Sequence, residues 1–201
     1  MMREGLVLKK ILAVSGALVL AVCFLMSAAW GKDAAANSDI LATVGETQIT
    51  QEDIVLLQNC DSVVRSFQGA RGQGVSEEEA LNQLIVEQIK RQMIQDEGIC
   101  LSQEEQKQIS DSILWSFDEV EDILQSGTEQ EKAMAEQSQS VVQAFAQAYG
   151  VSMEEYKDLC IRETLFSVEV SKLADKLFGG DREALEDYIQ EHYEDYQVII
   201  N

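Results

Sequence analysis

His192 is the single histidine of the chain, and it sits in the run Glu191-His192-Tyr193-Glu194-Asp195. A general base built on it needs a placed nucleophile and an orienting acid. A polar helix end crowded with carboxylates offers a solvated imidazole instead. Asp118, Glu119, Glu121 and Asp122 form an acidic cluster that invites a cation. On a helix their spacing spreads them around the axis, and no D-x-[DN]-x-[DN]-G loop is present, so a solvated face is expected. Gly69, Gly72 and Gly74 share only their glycines with a phosphate loop. No Lys-Ser/Thr pair follows and no strand leads in, so a flexible linker is expected. Cys23, Cys60, Cys100 and Cys160 are widely spaced, with no C-x-x-C, which argues against zinc. Setting Cys23 aside leaves an odd number. One disulfide with one free thiol, or three buried thiols, both fit. No catalytic residue, metal ligand or cofactor is expected.

The charge excludes other classes. Thirty-six acidic residues stand against 15 basic ones in 201, a net charge of −21. A nucleic-acid binder needs basic surface to displace counterions from phosphates, and a polybasic membrane-surface module needs the same. Apolar residues make up 46%, enough for a packed core, so the acidity does not imply disorder. Proline is absent, and long stretches of Gln, Glu, Ala and Leu favour helix.

The elements that must position any site begin after an address. Ile11 to Trp30 is an uncharged run of 20 preceded by Lys9 and Lys10. Residues 1–31 read as a secretory signal or a membrane anchor that places the remainder outside the cytoplasm. Ala34-Ala35-Ala36 and Ala29-Trp30-Gly31 are candidate cleavage sites. Leu20-Ala21-Val22-Cys23 resembles a bacterial lipobox, but Val22 and the apolar Phe24-Leu25-Met26 depart from it. A polar linker occupies 32–39.

From residue 40 the pattern is helical. Leu41 to Thr50 holds two extended pieces around a Gly45-Glu46 turn. Thr50 with Asp53 starts a helix that ends at the glycine loop. Ser76 with Glu79 caps a second, bearing Leu81, Leu84, Ile85, Ile89 and Met93 on one face and Lys90, Arg91 and Gln92 on the other. Gly98 closes it. Ser102 with Glu105 opens a third, with Ile109, Ile113, Phe117, Val120 and Leu124 in register. Gly127-Thr128 either breaks this helix or lies within it. Val141, Val142, Phe145 and Tyr149 resume the stripe as far as Gly150. Ser152 with Glu155 caps a long helix ending at Gly179-Gly180, and Asp181 caps a last one. Tyr196 to Asn201 turns strand-like. The turns at Gly98 and Gly150 echo each other, as helix-to-helix turns commonly do. A strand at Leu41 to Val44 pairing with Val198 to Ile200 would close the domain, with the long helices projecting between.

The order of these segments resembles a known family. Ala42 to Asp53 (ATVGETQITQED) is similar to the opening of the SurA-type N-terminal chaperone domain. Glu79 to Gln88 looks like its second helix. Gly98-Ile99 with Ser102-Gln103-Glu104-Glu105 resembles its next turn. Phe145 to Tyr156 and Leu185 to Asn201 resemble its later step and its closing helix and strand. The likeness runs from about Asp39 to the C-terminus. It implies a mainly α fold: an extended helical cradle over 40–201, closed by a small two-stranded sheet pairing the two ends, with a projecting arm at about 103–149. The function it implies is the holding of unfolded or newly exported polypeptides in a bacterial cell envelope.

Larger members carry a parvulin prolyl-isomerase domain between the helical halves. Its Gly-Gly-rich and His-containing motifs are missing here and no space is left for it, so holding without catalysis is expected. Trp115, Phe117, Leu124, Val142, Phe145 and Tyr149 are the expected client contacts, because the arm is flanked by polar sequence with little else to bury its apolar stripe. A dedicated adaptor gripping one envelope partner, or a foldase with isomerase activity, are the competing readings.

Overall fold

The computed structural model describes residues 39–70 and 72–201. The signal or anchor over 1–31, with Cys23, and linker residues 32–38 lie outside the described residues. Strands β1 (Ile40–Val44) and β2 (Thr47–Thr50) lead into helices α1 (Gln51–Gln68), α2 (Glu77–Asp96), α3 (Gln103–Ser126), α4 (Glu129–Tyr149), α5 (Met153–Phe178) and α6 (Arg182–Glu191). A 3-10 turn over Tyr193–Tyr196 then delivers β3 (Val198–Ile200).

The fold is mainly helical, as expected, but the sheet has three strands rather than two, in the order β2-β1-β3. The pairing of the two ends is present: Ala42 lies opposite Ile200 and Val44 opposite Val198, antiparallel. The extra strand arises because Gly45, at φ +57, lets the chain reverse so that Thr47 meets Val44. Ala42, Val44 and Ile49 turn to the helices and are buried.

Reciprocal caps set the helix starts. Ser76, Ser102, Thr128 and Ser152 each accept a hydrogen bond from the N–H three residues on. The glutamate there accepts from the cap's own N–H at 2.8–2.9 Å. Asp53 does the same for Thr50. Each cap is worth about 1 kcal/mol. The Gly127 alternative resolves as a break: α3 ends at Ser126 and Thr128 opens α4. A Cβ on Gly127 would lie 2.6 Å from the Ile123 carbonyl oxygen, so the turn favours glycine.

Three apolar clusters hold these elements. The largest joins the sheet to Ile54 and Leu57 of α1, Leu84, Ile85 and Ile89 of α2, Leu173 of α5 and Leu185 of α6. The second joins Cys60 and Val64 of α1 to Val141 and Phe145 of α4 and Tyr156 of α5. The third, Val120, Ile123 and Ala135, lies between α3 and α4 near their turn. The helices neighbour one another in a closed circuit: α1 on α4, α4 on α3, α3 on α5, α5 on α2 and α2 on α1. Helices α3 and α4 form a hairpin that packs on α1 and α5. Lys172 of α5 ties its base through Glu105 at 2.8 Å.

The glycine loop after α1 is fastened rather than free. Arg65 donates to the carbonyls of Gly72 and Gln73, and Asp61 accepts from the Val75 N–H at 3.1 Å.

Candidate functional site

Helix geometry sorts the six residues expected to face a client. On α3, Ile113, Val120 and Ile123 point inward. Trp115 is two residues past Ile113, about 200° around the axis, and so projects from the opposite face. It is 54% exposed, beside Leu114 at 38%. Phe117 and Leu124 return to the inner face and are half-buried. Phe117 packs on the second cluster, with the Lys157 ammonium 5.5 Å from its ring centre. Trp115 and Phe117 therefore do not share a surface, as residues i and i+2 on a helix cannot.

On α4, Val142 and Tyr149 are half-buried and Phe145 is 1% exposed. Phe145 as a surface contact is corrected by the structure. Its ring stacks on Tyr156 at 6.4 Å, and α1 covers the face of α4 that the sequence left uncovered. Tyr149 and Tyr156 pack in the same cluster as Cys60 and Cys160. Burial pushes both thiols up to about 11, so they stay protonated and poorly reactive. Cys60, Cys100 and Cys160 are all free, but only Cys60 is buried; Cys160 is half-buried and Cys100 exposed, so neither cysteine alternative holds as expected. Of the six expected contacts, Trp115 alone stands well out of the fold. Leu114 joins it, and the signal was available: with Ile113 facing inward, its next two neighbours must face away.

Charged residues expected on the outer face of α2 are instead drawn inward. Lys90 pairs with Glu186 of α6. Arg91 reaches Glu87 at 2.9 Å and Glu163 of α5 at 3.8 Å, with its guanidinium carbon 3.9 Å above the Phe166 ring. Glu87 is 4% exposed and Glu163 7%. Desolvation pushes the Glu87 carboxyl up to about 8; Arg91 opposes the rise and the Glu163 charge adds to it. Two carboxylates and one guanidinium thus sit in the seam between the two larger clusters. The Glu87–Arg91 spacing, i to i+4, was legible, but that both face inward depends on where α5 lies.

His192 is half-buried rather than fully solvated. Its ring stacks on Tyr188 at 4.1 Å, and its Nδ1 lies 2.9 Å from the Tyr188 carbonyl oxygen at the end of α6. Asp118, Glu121 and Asp122 lie exposed on α3. Among the described residues no acidic, histidine or cysteine group is arranged to hold a metal, and no helix is long and apolar enough to cross a membrane. Compared with family models, curated proteins and solved structures, the chain finds no match.

Proposed function

We propose that the protein is an extracytoplasmic holdase, which binds unfolded or newly exported polypeptides without chemistry. The observation that carries this reading is the Leu114–Trp115 pair, exposed on the outer face of a helical hairpin. An aromatic and an aliphatic side chain side by side offer shallow, non-directional contact to an apolar segment of a client. The net charge of −21 keeps such a holder soluble and apart from its own copies. The run Ile11 to Trp30 supports an envelope location. The likeness to SurA-type domains agrees with both.

The test is light scattering of a chemically unfolded, unrelated protein diluted into the purified protein. Suppression of aggregation at near-stoichiometric ratios supports the holdase. A protein that accelerates cis/trans exchange of an X-Pro peptide is a foldase instead. The dedicated-adaptor reading has one observation in its favour. Among the described residues edge strand β3 pairs only with β1, and its Ile199 and Ile200 are each 60% exposed, a place where a partner strand could add. Failure to suppress aggregation, with capture of one envelope protein, supports that reading.

A further inference from the structure

A cavity of about 310 Å³ opens where the C-terminal ends of α2 and α5 meet α6 and the 3-10 turn. Its size is at the lower end of ligand sites, which run to about 300–1,000 Å³. Met93, Leu177 and Phe178 give it apolar walls, and Tyr188 and Tyr196 add aromatic rings. The Phe178 and Tyr188 rings are tilted against each other at 5.4 Å.

Two carboxylates line the same cavity, and they differ. Glu97 is neutralised by Lys176, whose ammonium lies 2.8 Å from its Oε2. Asp96 makes no ion pair among the described residues. Burial pushes the Tyr196 hydroxyl up to about 12, and Tyr188, Asp195 and, least, Asp96 add to the rise. The cavity therefore combines apolar walls, aromatic rings and an uncompensated negative charge.

We infer that this cavity, with Asp96 and the Tyr188–Tyr196 pair, binds a lysine or arginine side chain of a polypeptide. The methylene stem would lie along Met93, Leu177 and Phe178, and the cationic head would meet the Asp96 carboxylate and a tyrosine ring. Long basic side chains have this division between apolar stem and charged tip. Cations are drawn both to aromatic faces and, through charge-assisted hydrogen bonds, to carboxylates. An acidic side chain would be repelled by Asp96, while the nearby cation, Lys176, is already paired with Glu97. The site is distinct from the Leu114–Trp115 surface and does not depend on the holdase reading.

Fluorescence anisotropy of two dye-labelled peptides, Leu-Lys-Leu-amide and Leu-Glu-Leu-amide, titrated with the full chain tests the assignment. The lysine peptide is expected to bind saturably, and the glutamate peptide at least tenfold more weakly. Asp96→Asn should weaken the lysine peptide at least tenfold. Asp118→Asn, which removes an equal charge from an exposed position on α3, should leave it unchanged. Circular dichroism confirms that both variants are folded. Equal binding of the two peptides, no loss in Asp96→Asn, or an equal loss in Asp118→Asn overturns the site. The last outcome would reduce the effect to overall charge. Aggregation suppression is measured separately, so the failure of either idea leaves the other standing.

Discussion

Arg91 of α2 reaches two buried carboxylates at once, Glu87 on its own helix at 2.9 Å and Glu163 on α5 at 3.8 Å. The seam between the two larger apolar clusters is thus ionic and carries more negative groups than positive ones. That imbalance fixes how stability should depend on pH. Folded, the Glu87 carboxyl titrates at about 8, against an ordinary value of 4.5. The folded state holds this proton more tightly than the unfolded chain. The contribution of the neutral carboxyl is complete below about 4.5 and is lost as pH climbs to about 8. Urea midpoints measured from pH 5 to pH 9 should therefore fall with rising pH. Glu87→Gln, which keeps the shape and loses the charge, should flatten that fall. Profiles that stay parallel would remove Glu87 as its cause.

Removing the guanidinium should hurt more than removing either carboxylate. Arg91→Met keeps much of the apolar stem over Phe166 but leaves Glu87 and Glu163 without their shared cation. Breaking a buried pair from one side costs about 3–5 kcal/mol. At pH 9, where Glu87 would otherwise ionise, adding Glu87→Gln to Arg91→Met should recover part of the loss, because one uncompensated buried charge disappears. Urea denaturation of the two single variants and the double gives the coupling directly. Strict additivity would mean that the three side chains do not act as a unit.

Local rules made most of the fold legible. The serine and threonine caps with glutamate three residues later mark helix starts because both partners lie within one turn. Thr128 with Glu131 has the same spacing and would have settled the Gly127 alternative. The meeting of β1 with β3 followed from strand-like residues at both ends. What stayed hidden depends on distant neighbours. Phe145 is covered by α1, which lies about half the length of the domain away in sequence. Arg91 turns inward because α5 brings Glu163 and Phe166 to it. The two extended pieces around Gly45 are legible in the sequence; that the second pairs with the first and adds a third strand to the sheet is what the structure adds. Periodicity separates the faces of a helix; it does not say which of them another helix will cover.

Thiol reactivity should follow burial. Cys100 is exposed, whereas Cys60 and Cys160 are held up at about 11 by desolvation. A maleimide at pH 7.5 should label Cys100 within minutes in the native protein. Cys60 and Cys160 should react only after denaturant is added, since the thiolate is the attacking species. Proteolysis and mass spectrometry assign each label to its cysteine. Early labelling of Cys60 in native protein would mean that the α1–α4 contact opens readily.

Trp115 and Phe145 should separate holding from folding. Phe145 fills the second cluster, so Phe145→Ala leaves a cavity and should cost about 3–5 kcal/mol in urea denaturation. Trp115→Ala removes an exposed side chain and should change stability by no more than about 0.5 kcal/mol. Aggregation suppression should run the other way. Leu114→Ser with Trp115→Ser should abolish most of it while helix content and urea midpoint hold. Phe145→Leu, which keeps most of the core volume, should retain it. Two results would count against this surface: full suppression by the Leu114/Trp115 variant, or loss of suppression in a Phe145→Leu protein that is still folded. The second would mean that clients reach the interior of the hairpin, so that α4 would have to part from α1 before a client could bind.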